Sequence, residues 1–179
     1  KSIIEQREVG VDTGDFNTAL IHIFRQDADV IMIGEMRGKD TISTAVTAAE
    51  TGHLVLSTLH TNSAAQTIDR IIDIFPGDQQ DQIRQQLASS LLGVLSQRLL
   101  PSISGGLVPA FELLINTNAV ANLIRERRTH EIDVLIETGS QEGMIDLDRY
   151  LADLVRKGEI TKEDALLHSR RPSLFGRLV

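Results

Sequence analysis

From Asp15 to Gln26 the apolar positions Phe16, Ala19, Leu20, Ile23 and Phe24 recur at helical spacing, and Asp12 to Asp15 are available as caps. His22, beside that stripe, reads as an ordinary partly buried ring. Val30 to Ile33 is a continuous apolar run, too short for a helix and suited to a strand buried on both faces. Asp40 then caps a helix carrying Ile42, Ala45, Val46 and Ala49, which Gly52 closes as a left-handed terminal residue. Leu54 to Leu59 forms the next strand. Asn62 or Ser63 caps a helix with the stripe Ile68, Ile71, Ile72 and Phe75, and Pro76-Gly77 ends it. Strand, helix, strand, helix with short links predicts a parallel sheet with crossover helices.

Farther along, Ile83, Leu87, Leu91, Leu92 and Leu95 predict one long helix from Gln79 to Gln97. Leu99-Leu100 and Val108 to Ile115 predict two strands around the loop Pro101 to Gly106. From Thr117 the pattern is helical, with short helices over Ala119 to Arg127, His130 to Thr138, Leu147 to Lys157 and Thr161 to Ser169. The tail after Arg170 is expected to be loose. The predicted organisation is an α/β core over residues 1–116, a small helical subdomain over 117–170 and a tail over 171–179.

Composition narrows the function classes. A hydrophobic fraction of 41% and a charged fraction of 24% are those of a soluble globular protein. A net charge of -7 argues against broad binding to nucleic acid or acidic membranes, and leaves only a local basic patch at Arg125, Arg127 and Arg128. Without cysteine there is no disulfide, no thiolate-held zinc and no thiol nucleophile, which fits the cytoplasm. No apolar run approaches the roughly twenty residues of a transmembrane helix. The chain starts at Lys1 without an initiator methionine, so it reads as a fragment or a processed product.

The candidate chemistry lies where the two predicted strands end. Glu35 and Arg37 follow the first; His53 opens the second and His60 closes it. Parallel α/β sheets bind ligands beyond the carboxyl ends of their strands. Glu35 has two readings: a general base or water-holding group for attack on phosphorus, or an acid at a helix start paired with Arg37 or Lys39. His60, Thr61 and Asn62 precede a helix N-terminus, whose free amides suit a terminal phosphate; in the alternative they only cap that helix. His53 and His60 fall on opposite faces of one strand and make a poor ligand set with Glu35, so no direct metal site is expected. There is no GxSxG nucleophile elbow.

These residues carry a resemblance. Arg7-Glu8-Val9-Gly10 and Asp27 to Arg37 resemble the run into a Walker B motif, and Thr51 to Ala64 resembles a His box. Gln97 to Leu100, Asn122-Leu123-Ile124-Arg125-Glu126 and Gly143-Met144 recur as familiar words. Together, over essentially the whole chain, they resemble the C-terminal half of the type IV pilus retraction ATPases, motors of the secretion-ATPase superfamily. The resemblance implies a partial RecA-like P-loop NTPase core followed by the helical subdomain. It implies that Glu35 positions the attacking water, that His60 senses the terminal phosphate with His53 as a second member, and that Arg37, Thr61 and Arg7 stand near the nucleotide or a subunit boundary. It further implies ATP and Mg2+ as ligands, a homo-hexamer, and an inner-membrane pilus platform protein as partner. Location would be cytoplasmic, peripheral at the inner face of the membrane, with no nucleic acid involved. Extension and type II secretion ATPases carry a tetracysteine insert between Leu100 and Val108; the short Ser-Gly loop here favours the retraction branch.

Three positions depart from the family pattern: Gly38 replaces an aspartate, Ala121 an arginine and Asp146 a threonine. No GxxxxGK[ST] phosphate loop occurs in these residues, and the family's Asp box is expected before Lys1. Two functions are therefore expected of the parent: a retraction motor, or a non-catalytic paralogue serving assembly or regulation on the same fold.

Overall fold

The Asp15 carboxylate accepts from the Thr18 amide at 2.6 Å and so caps α1 (Phe16–Ile23). In the computed structural model, residues 3–179 are described; Lys1 and Ser2, the first positions of the expected core domain, lie outside the described residues. The chain forms two compact units: the residues up to His60 together with Arg70–Leu91, and Thr61–Asp69 together with Leu92–Val179.

In the first unit, β1 (Val30–Ile33) and β2 (Leu54–Ser57) pair in parallel, from Val30 opposite Leu54 to Ile33 opposite Ser57. The helix α2 (Lys39–Glu50) connects them. Leu20 of α1, Ile31 and Ile33 of β1, and Ala45 and Ala48 of α2 form the core, with Ile23, Met36 and Val55 against it. The expectation that β1 is buried on both faces is corrected: Ile31 and Ile33 are buried, whereas Val30 and Met32 are exposed. The helices cover one face, and the pleat turns alternate residues to the other. Gly38, not Asp40, occupies the N-cap of α2 and makes no side-chain cap bond. Asp40 sits in the first turn, where its charge favours the positive end of the helix. Gly52 has the expected left-handed φ of 102°.

The next helix, α3 (Ala64–Asp73), starts with a reciprocal cap. The Ser63 hydroxyl accepts from the Gln66 amide at 3.2 Å, and the Gln66 side chain accepts from the Asn62 amide at 2.8 Å. Ile68, Ile71, Ile72 and Phe75 are buried, as their spacing predicts. α4 (Gly77–Ser90) stops well short of the predicted Gln97.

Residues from Gly93 onward belong to the second unit, as an antiparallel hairpin of β3 (Gly93–Pro101) and β4 (Leu107–Ile115). Leu91, Leu92 and Leu95 continue the helical stripe of α4, but Gly93 breaks it, and nine paired positions of hairpin replace the last helical turns. Only glycine fits there: a Cβ on Gly93 would lie 2.6 Å from the Leu114 carbonyl oxygen. Five helices follow: α5 (Asn118–Arg125), α6 (Ile132–Thr138), α7 (Leu147–Arg156), α8 (Lys162–His168) and α9 (Pro172–Phe175). Thr117, Asp146 and Thr161 cap α5, α7 and α8 through their side chains. Leu100, Ala110, Leu147, Leu151, Ile160 and Phe175 share one core. The tail is therefore not loose. Phe175 is fully buried, and the Arg156 guanidinium donates to the Leu178 carbonyl at 2.7 Å. Among the described residues no helix is long and apolar enough to cross a membrane.

Candidate functional site

β1 ends at Ile33, and the chain beyond it stays alongside the chain beyond β2. The Thr58 hydroxyl donates to the Gly34 carbonyl at 2.5 Å, and the Met36 amide donates to the Thr58 carbonyl at 3.3 Å. These bonds extend the strand pairing past the last ladder residues and bring Glu35 beside His60. Arg37 Nη2 lies 2.6 Å from Glu35 Oε2, and His60 Nε2 lies 3.2 Å from Glu35 Oε1. Both carboxylate oxygens are thus engaged, by different partners. Glu35 is one-quarter exposed, whereas Arg37 and His60 reach well into solvent.

The three side chains open onto a cavity of about 300 Å3 with Arg70 on its wall and Met36 and Ile42 among its apolar lining. The hydrogen bond from Arg37 holds the Glu35 carboxyl below its ordinary pKa; partial burial opposes this, and the charges of Arg37, His60 and Arg70 add to it. The same contact raises the pKa of Arg37. A carboxylate held in its charged form is a strong hydrogen-bond acceptor and a poor proton store, so it suits the orientation of a water more than early proton abstraction. Among the described residues no group of three or more His, Asp or Glu side chains gathers to hold an ion. Glu35 is the one carboxylate of the cavity lining and is engaged by Arg37, so these side chains do not fit a magnesium ion by themselves.

The other predicted residues lie elsewhere. His53 sits at the opposite end of β2, its Nδ1 3.1 Å from the Ala48 carbonyl and 3.2 Å from the Thr51 hydroxyl, its ring edge-on to Phe24. It does not join Glu35 and His60. Arg7 donates to the Gln26 side chain at 2.9 Å, away from the cavity lining. Thr61, in the second unit, lies ahead of α3 and pairs with the Thr67 hydroxyl at 2.7 Å. In α5, Arg125 donates to Asn122 Oδ1 at 3.1 Å, Ile124 is fully buried, Leu123 is half-buried and Glu126 accepts from Arg128 at 2.9 Å.

Sequence reasoning missed Arg70. Its signal was a cation beside Asp69, flanked by Ile68 and Ile71 of the apolar stripe. It also missed a partly buried ion network in the second unit. Glu112 accepts from Arg170 at 2.6 Å, Asp148 accepts from Arg171 Nε at 3.2 Å, and Asp133, Asp146 and Glu137 complete the cluster. Burial works against the charge of both arginines, and the facing carboxylates outweigh it, so both pKa values move up. Glu112 was the signal, being the single charged residue of the run Leu107–Ile115.

Comparison with known proteins gives a consistent set of relatives. The family described as type II/IV secretion system protein matches residues 4–142. The chain is 47% identical over 175 residues to the type IV pilus retractation ATPase PilT of Pseudomonas aeruginosa, covering 98% of this chain and 51% of that protein. It is 48% identical over 166 residues to a twitching motility protein of Neisseria gonorrhoeae, covering 92% and 44%. A crystal structure of the pilus retraction motor PilT with bound ADP superimposes with a TM-score of 0.88 at 48% identity, over 98% of this chain and 49% of that one. The chain thus spans about half the length of the curated relatives it matches.

Proposed function

The chain belongs to the type II/IV secretion system protein family, and from this premise we propose that it supplies the water-positioning part of the ATP-hydrolysing site in a motor that retracts type IV pili. The observation that carries the reading is the Glu35 carboxylate held between Arg37 and His60 beyond two parallel strands. In this role Glu35 orients the water that attacks the terminal phosphate of ATP. His60 exchanges its contact with Glu35 for that phosphate, and so reports on the state of the nucleotide. Arg37 and Arg70 place positive charge where negative charge gathers on the phosphoryl oxygens. Magnesium would be held mainly by groups outside these residues.

The phosphate cradle is likewise supplied by groups outside them, since no GxxxxGK[ST] loop occurs here. The parent protein is accordingly a homo-hexamer that powers twitching motility, working in the cytoplasm against a pilus platform protein at the inner membrane. PilT with bound ADP, at 48% identity, supports nucleotide as the ligand.

The test compares two preparations. Full-length protein is expected to hydrolyse ATP, and residues 1–179 alone to do so no faster than a buffer blank. A full-length protein without turnover contradicts the motor reading and leaves the non-catalytic assembly module in its place. Robust turnover by residues 1–179 contradicts the division of labour between this segment and the phosphate cradle.

A further inference from the structure

The turn that follows His60 is bonded, through the β3–β4 hairpin, to the C-terminal segment. Arg98 of β3 donates from Nη2 to the Asn62 carbonyl at 3.3 Å and from Nη1 to the His168 carbonyl at 3.2 Å. Glu112 of β4 accepts from the Ala64 amide at 2.8 Å with Oε1 and from Arg170 Nη1 at 2.6 Å with Oε2. Each side chain therefore grips the start of α3 with one hand and residues 168–170 with the other. The C-terminal segment is itself fixed. Asp148, 1% exposed, accepts from the Arg170 and Arg171 amides at 2.9 and 3.1 Å, and Phe175 is fully buried just beyond.

We propose that Arg98 and Glu112 are positioning residues, and that residues 168–175 are a strap whose docking sets the position of the turn following His60. Glu112 is 2% exposed, and a carboxylate at such depth persists only with both oxygens engaged. An apolar residue of the same volume would serve packing alone at least as well. What the charged group adds is direction: it selects one backbone amide, Ala64, and one arginine, Arg170. Arg98 does the same with two carbonyls. Release of the strap leaves Arg98 and Glu112 each held at one end only, so the two tethers on the turn that follows His60, at the Asn62 carbonyl and the Ala64 amide, loosen together. The catalytic consequence rests on the functional reading above; the tether does not.

The experiment uses the full-length protein with Arg98→Met and Arg170→Met. Arg156→Met is the control, because Arg156 holds Leu178, just beyond the strap, and bonds to Asp153 and Leu178 rather than to the turn. Hydrogen exchange is followed at the amides of residues 62–67, at a temperature where circular dichroism shows every variant folded. Arg98→Met and Arg170→Met are expected to speed exchange there by about tenfold or more, with no change in Arg156→Met. Should Arg170→Met not fold, Arg98→Met reads the same link. Unchanged exchange, or an equal rise in the control, overturns the proposal.

The second readout is ATP turnover. Arg98→Met is expected to lower kcat about tenfold, and to change little when His60→Ala is already present, because the two act through one turn. Additive losses overturn the link to His60. A full-length protein without turnover counts against the functional reading, and the exchange comparison then decides the strap by itself.

Discussion

Glu35 accepts from Arg37 on one oxygen and faces His60 with the other, and that arrangement makes its titration informative. Arg37 holds one oxygen at 2.6 Å, and the result is a carboxyl pKa below the ordinary value. For a carboxylate whose folded pKa is lowered, the contact is fully present above the ordinary carboxyl range and is lost as pH falls through the lowered value. Carbon-detected NMR of Glu35 is therefore expected to show a midpoint below the usual value of about 4.3, and Arg37→Gln is expected to raise it. A wild-type midpoint at or above the usual value would mean that the Arg37 contact does not persist in solution. Phe175 offers a separate check at the same scale. It is fully buried, so Phe175→Ala is expected to cost about 3 kcal/mol in urea unfolding, whereas a loose tail would register no change.

At the scale of elements, β1 and β2 turn an apolar face outward. Val30 lies opposite Leu54 and Met32 opposite Leu56, with exposures of 54%, 41%, 73% and 47% respectively. Contiguous apolar surface of this kind drives association. Residues 1–179 alone are expected to self-associate and to bind the dye ANS, and Met32→Lys with Leu56→Lys to restore monomer on size exclusion. A wild-type segment that runs as a monomer without dye binding would contradict this.

The same strands show what the sequence made legible. Periodicity located α1, β1, α2, β2 and α3, because each carries its apolar residues within one short window. It failed at Leu91–Leu95, where leucines satisfy a helix and a strand equally and the decision comes from pairing with Leu107–Ile115. It failed again at β1, since an unbroken apolar run does not reveal which of its faces is covered. Glu35 and His60 were legible as strand ends. Arg70, Arg98 and Glu112 were not, because their partners are set by contacts that only the folded chain creates.

For the molecule as a whole, the two units divide the features between them. The first gathers Glu35, Arg37, His60 and Arg70 around one cavity, and the second holds the hairpin, the α5 signature and the docked C-terminal strap. Family membership supplies the setting, and half the length of the relatives is represented here. In the proposed motor, Glu35 orients the water that attacks ATP. The measurement that tests it most directly is steady-state ATP hydrolysis by the full-length protein and its Glu35→Gln variant, with nucleotide binding measured in parallel. Loss of hydrolysis by about a hundredfold or more with binding retained is the predicted result; hydrolysis by Glu35→Gln at the unmodified rate would contradict the account.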